Sequence, residues 1–219
     1  MVSTESLSCR KVIPVEPTYR MRRAFASPSK WTFEIPPIKQ LIYKYVGNGK
    51  QWVDPFAGIT SPAEFTNDIN PESKAKYHLE ARAFIRQLNG QMFDGVLLDP
   101  PYSPRQIKEC YENVGLAVSM TDTQNCVLYS ETRRLVAPKI RVGGYAISCG
   151  WNSNGLGKNL GFEIVEILIV AHGAAHNDTI VVVEKKFQSD LFAPGASGSF
   201  FYPVLSQPNK LRRLQNQLM

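Results

Sequence analysis

Gly95-Val96-Leu97-Leu98-Asp99-Pro100-Pro101-Tyr102 is the stretch that decides how the chain is read. Its first four residues are a short apolar run of the kind that forms a strand buried in a parallel sheet. A carboxylate, two prolines and an aromatic ring stand where that strand ends. In open α/β sheets, ligands bind at the carboxyl ends of the strands. Proline fixes its own φ and gives a sheet no N–H donor, so two in a row make a stiff corner. That corner projects Asp99 and Tyr102 in a set geometry. Taken alone, the four residues would also suit an ordinary strand exit, so their weight depends on what precedes them.

Two more strand exits precede them. Residues 51–53 read as a strand and Asp54-Pro55-Phe56-Ala57-Gly58 as its exit, where Gly58 allows close backbone approach to a ligand. Phe65 to Ile69 is the next run, followed by Asn70-Pro71. Only residues 58–65 lie between the two, too few for a helical crossover. The first helix after the exit is therefore expected to be reduced or missing. Asp68 ends the second run. A carboxylate there can accept from both hydroxyls of a ribose diol, or it can cap the turn at Asn70-Pro71.

In this order the three exits resemble those of the amino-group DNA methyltransferases that use S-adenosyl-L-methionine, and most of all the small phage-encoded adenine-N6 enzymes. The resemblance covers residues 30 to 187, most of the chain. It implies an α/β, Rossmann-like methyltransferase fold with a mostly parallel seven-stranded sheet and a C-terminal antiparallel hairpin. It also implies S-adenosyl-L-methionine as cofactor, DNA as partner and no metal. The cofactor residues carried over are Phe33, Ile35, Asp54, Pro55, Phe56, Gly58, Asp68, Glu80 and Asp99. The catalytic residues are Asp99, Pro100, Pro101 and Tyr102. For Phe33 the competing role is a core aromatic, and for Glu80 a first-turn acid favoured by the helix dipole. One departure is visible: the family's first motif usually continues with another glycine, where this chain has Ile59-Thr60-Ser61-Pro62.

Aspartate at the first position of the DPPY motif resembles the adenine-N6 branch, whereas serine is more typical of cytosine-N4 enzymes. The exocyclic amine of adenine is a poor nucleophile, because its lone pair is delocalised into the ring. Asp99 and the carbonyl of Pro100 can each accept one of its N–H groups, which favours a localised lone pair aimed at a sulfonium methyl. Displacement then needs mainly alignment. Tyr102 offers a face to a base taken out of the duplex. The alternatives are cytosine N4 in DNA, adenine in RNA, or an inactive DNA-binding relative.

The chain has 219 residues, 43% hydrophobic and 20% charged, which suits one α/β domain with a full core. No run reaches membrane-spanning length, and the first 30 residues hold no signal-peptide core. Cys9, Cys110, Cys126 and Cys149 show no CxxC pairing and read as free thiols of a reducing cytoplasm, that of a host cell if the chain is phage-encoded. Net charge is +6. Residues 1–30 and 185–219 each carry +4, leaving −2 for the middle. Basic ends beside a near-neutral body suit arms that hold a polyanion, or two solvated tails without a ligand. The expected DNA contacts are Arg20, Arg22, Arg23, Lys139, Arg141, Lys158, Arg212 and Arg213.

Three segments are expected: a basic, irregular arm over 1–29, the methyltransferase domain over 30–187, and an irregular basic tail over 188–219. Within the domain, helices are expected from Ile38 to Val46, from Ala81 to Leu88, from Ser103-Pro104 to about Val114 and from Asn125 to Ala137, with Thr123 as an N-cap. Strands are expected at 51–53, 65–69, 77–79, 95–98, 145–148, 162–171 and 179–184. A short basic helix is expected over 211–218. His172 and His176 read as loop residues, since no third ligand accompanies them. The chain leaves no room for a separate target-recognition domain. Residues 103–125, the loop at 151–160, the two tails, and a second subunit (another copy or an accessory chain) are the remaining candidates.

Overall fold

The computed structural model describes residues 18–115, 125–173 and 176–187. Its strands are β1 (Arg20–Phe25), β2 (Trp52–Asp54), β3 (Phe65–Thr66), β4 (Phe93–Leu98), β5 (Ile140–Gly150), β6 (Phe162–Ala171) and β7 (Thr179–Lys186). They form one seven-stranded sheet in the order β1-β6-β7-β5-β4-β2-β3. All neighbours are parallel except β7, which is antiparallel to β5 and to β6. This is the expected mixed α/β, Rossmann-like architecture, with β6 and β7 as the expected hairpin. The helices are α1 (Pro36–Val46), α2 (Ala81–Gln87), α3 (Pro104–Glu112) and α4 (Asn125–Val136).

Side chains alternate across a strand, so β4 serves two cores. Leu97 joins Ile147, Leu168 and Val183 beneath Ile38, Leu41 and Ile42 of α1. Val96 and Leu98 join Phe84 and Ile85 of α2 and Val136 of α4 on the other face. Pro36 and Pro37 start α1, where a missing N–H costs nothing. Gly47 ends it at φ +61°. On the other face α2 and α4 are tied by Arg82 and Arg86, both paired with Glu131.

The sheet has seven strands as expected, but not the expected seven. Tyr77-His78-Leu79, read as a strand, makes only a single bridge between Tyr77 and Asn67. The seventh strand is β1, inside the segment read as an irregular arm. Arg20-Met21-Arg22-Arg23-Ala24-Phe25 lies parallel to β6, with Arg22 opposite Leu168. Its three arginines hide a strand from any apolar-periodicity test. Beside it lies Glu166 of β6, whose side chain is 1% exposed. Arg22 Nε donates to Glu166 Oε1 at 2.8 Å, and Lys44 Nζ and Tyr45 Oη of α1 donate to Oε2 at 2.5 and 2.8 Å. These donors hold the Glu166 carboxyl down at about 2, against the cost of its burial. A boundary at residue 29 therefore does not separate an arm from the sheet. Residues 1–17, Thr123 and the tail at 188–219, including Arg212, Arg213 and the expected helix at 211–218, lie outside the described residues.

Candidate active site

Strand β2 lies between β3 and β4, so the chain turns to opposite sides on leaving and returning to it. Crevices for ligands form at such a switch point. The exits of β2 and β4, Asp54 to Gly58 and Asp99 to Tyr102, are brought side by side there. Between them lies a cleft of about 440 Å³, within the range of sites for cofactor-sized ligands. As expected from the length of 58–65, no helix follows β2 before β3.

Asn67, fully buried, holds the cleft floor together. Its Nδ2 donates to the carbonyls of Pro55 and Leu79 at 3.1 and 2.9 Å, and its Oδ1 accepts from Leu79 N at 2.9 Å. One amide thus staples the β2 exit to segment 77–79. The sequence gives no sign of this, because an asparagine before an aspartate reads as turn chemistry.

Asp68 lines the cleft. Its Oδ2 accepts from Gly58 N and its Oδ1 from Asn70 N, both at 2.8 Å. The turn-capping and ligand-facing roles are therefore compatible: each oxygen has one acceptor site in use and another to offer. Gly58 stands at φ +53°, a conformation that favours glycine. Pro55, Phe56, Phe33 and Trp31 line the same cleft, and Ile69, Leu79 and Ala81 add an apolar wall.

Three of the expected cofactor residues sit elsewhere. Ile35 is 3% exposed and belongs to the core under α1, outside the cleft lining. Asp54 is wholly buried beneath the cleft; it accepts from Phe56 N at 2.9 Å and from Ser61 Oγ at 2.6 Å, organising the exit loop. Glu80 caps α2, accepting from Arg82 N and Ala83 N with one oxygen and from Arg82 Nε with the other. That is the helix-acid role set against the adenine contact. Phe33 fills both of its competing roles, since it is buried in the core and borders the cleft.

Burial pushes the Asp54 carboxyl up to about 7, although Ser61 and the Phe56 amide oppose the shift. The folded chain then holds a proton that the unfolded chain has released between about pH 4 and 7, so this group's contribution to stability declines as pH rises through that window. Asp54→Asn, which keeps an acceptor and loses the titration, is expected to gain on the wild type by about 2–4 kcal/mol between pH 4 and pH 8. Urea unfolding of both proteins at those pH values measures it. A pH-independent difference would place the ionised form comfortably in the interior.

Asp99 and Tyr102 line the cleft with Pro100 and Pro101. Desolvation raises the Asp99 carboxyl above its ordinary value, while hydroxyl donors Tyr102 and Thr32 moderate the rise. Tyr102 Oη donates to Asp99 Oδ1. Desolvation and the adjacent Asp99 charge raise the Tyr102 phenol, so it remains a donor. The backbone N–H of Tyr102 donates to Gln106 Oε1 at 2.7 Å, fixing the corner to α3. Thr32, Gln106 and Trp31 carried no motif, and only the fold brings them to Asp99.

The basic residues are dispersed. Lys139 Nζ donates to Leu88 O, and Arg141 pairs with Asp94 at 2.8 Å. Both are at the amino-terminal end of β5, the end opposite the cleft, and Lys158 stands at that end beside the start of β6. Arg22 is engaged by Glu166. Arg20 and Arg23 are exposed on the edge strand, Arg23 at 3.9 Å from Asp178. His172 is buried between Ala26 O and Thr179 Oγ1, at 2.8 and 2.9 Å.

No family model and no curated protein matches this chain. Among solved structures it is similar to TrmN from Thermus thermophilus, at 16% identity and a TM-score of 0.45, over 70% of this chain and 49% of that one. It therefore spans about half the length of that protein. It is also similar to a putative methylase from Haemophilus influenzae, at 11% identity and a TM-score of 0.45, over 70% and 98% of the two chains. A third is the N-methyltransferase NodS from Bradyrhizobium japonicum WM9, at 10% identity and a TM-score of 0.43, over 68% and 94%. Likeness at this level is weak.

Proposed function

We propose that this chain transfers a methyl group from S-adenosyl-L-methionine to the exocyclic N6 amine of adenine in DNA. The observation that carries this is the placement of Asp99-Pro100-Pro101-Tyr102 and Asp68 on one cleft at the switch point of the sheet. The residues fit the cofactor: Asp68 retains acceptor sites for a ribose diol, Ile69, Leu79 and Ala81 offer an apolar wall to a base, and Trp31 and Phe56 border the same space. Aromatic faces attract a sulfonium. When bound, the cofactor supplies an electrophilic methyl group.

Asp99 accepts a hydrogen bond from the target amine, and the Pro100 carbonyl accepts the second. Tyr102 and Thr32 hold the Asp99 carboxylate in place while it does so. These two acceptors would localise the lone pair of the amine, and the proton the amine loses on methylation would pass to solvent. The ionised carboxylate is the stronger acceptor for that amine, and the Asp99 carboxyl is raised by burial. Activity is therefore expected to decline as pH falls through that raised value.

Incubating the protein with S-adenosyl-L-methionine and with DNA or RNA, followed by mass spectrometry of the nucleosides, tests the assignment. N6-methyladenine in DNA is the expected product; N4-methylcytosine, or methyladenine in RNA alone, would overturn it. Asp68→Ala is expected to weaken cofactor binding by about 1–3 kcal/mol, the scale of a lost charged hydrogen bond. Calorimetry measures it, and an unchanged dissociation constant would reduce Asp68 to a turn residue.

A further inference from the structure

Trp151 belongs to no motif and follows β5 directly. Ser148 of β5 pairs with Leu98 of β4, so Trp151 emerges at the same sheet end as Asp99. Its ring meets that of Tyr102 edge to face, with centroids 5.6 Å apart and planes at 60°. Yet the residue is 44% exposed. An indole contributes most to stability when buried, and this one is held partly in solvent beside the corner that carries the chemistry.

The loop that presents it is built to stay in place. Leu156 N and Gly157 N donate to the two oxygens of buried Glu184, at 2.5 and 2.8 Å. A Cβ on Gly155 would collide with that carboxylate. Arg133 of α4 donates to Gly155 O, and Asn154 N donates to Asn152 Oδ1 at 2.9 Å. A loop so fixed gives its exposed aromatic a defined position rather than a range of them.

Building on the amine methyltransferase function above, we propose that Trp151 is a binding residue for the acceptor: its partly exposed indole stacks the flat heteroaromatic ring whose amine is presented to Asp99. An indole face gives a planar π-ring much and an aliphatic amine or a carboxamide little. Trp151 therefore favours ring amines among acceptors, and works beside Tyr102 next to the cleft, whose lining does not include it. Base–aromatic stacking is sequence-tolerant, because every base has a π-face.

The test compares the full-length wild type with Trp151→Ala and Trp151→Phe. Binding of a fluorescein-labelled deoxyadenosine-rich single strand is followed by anisotropy, together with cofactor affinity, melting temperature and, where the wild type turns over, KM and kcat. Trp151→Ala is expected to weaken strand binding about tenfold and raise KM comparably, as loss of one stacked base predicts. Cofactor affinity and melting temperature are expected to hold, and Trp151→Phe to restore most of the loss. Unchanged strand binding in Trp151→Ala, a wild type that binds no such strand, or a parallel loss of cofactor affinity would each overturn the proposal. A wild type whose strand binding depends on Trp151 but which methylates no adenine in DNA would overturn the function proposed above and leave this one standing.

Discussion

Replacing Asp99 with alanine is expected to reduce methyl transfer by at least about 10²–10³-fold, the scale seen when a group placed for the transition state is removed. Cofactor affinity should stay within a few-fold. The division follows from geometry. In the proposed function Asp99, held by Tyr102 and Thr32, faces the acceptor amine, while Asp68 is the carboxylate proposed for the cofactor diol. The alanine variant also relieves a carboxylate that burial disfavours, so its melting temperature should not fall much. Single-turnover rates and calorimetry on the same preparation decide. Loss of cofactor binding together with activity would show that Asp99 serves the cofactor, and the assignment of roles would have to be redrawn.

Removing residues 1–28 is expected to destabilise the protein rather than merely strip it of charge. The deletion takes away β1 and leaves β6 with a bare edge. It also removes Arg22 from Glu166, a carboxylate with only 1% of its side chain exposed. Breaking a buried pair by removing one partner costs about 3–5 kcal/mol, moderated here because Lys44 and Tyr45 remain. With the lost strand pairing included, a drop in melting temperature of roughly 6–20 °C follows for a chain of this size. If instead the segment served chiefly to track phosphate, melting would hold, and the slope of log affinity against log salt would become shallower by about one unit per lost phosphate contact. Both quantities can be measured on the truncated protein. Arg22→Ala isolates the pair: it should lower the melting temperature, while Arg20→Ala and Arg23→Ala, on exposed positions, should not.

The strand exits at Asp54, Asp68 and Asp99 were legible in the sequence because each is a local signal: a short apolar run, then a carboxylate with proline, glycine or asparagine close behind. So were α1, with its paired prolines and 3.6-residue periodicity, and the closing hairpin, with its long β-branched runs. Alone they pointed to a ligand at strand ends; the mostly parallel seven-stranded sheet was what the resemblance implied. What depends on partners distant in the chain was hidden. Arg20 to Phe25 has no strand-like pattern of its own; it pairs along β6, where buried Glu166, 144 positions after Arg22, accepts from Arg22 Nε. Glu80 is different: its cap partners, Arg82 and Ala83, are two and three residues further on, so the helix-acid role was a local alternative already open in the sequence. Asn67 and Thr32, by contrast, acquire their partners through contacts that packing creates between segments. Local chemistry thus determined where the cleft would be, and packing between distant segments decided which side chains reach it.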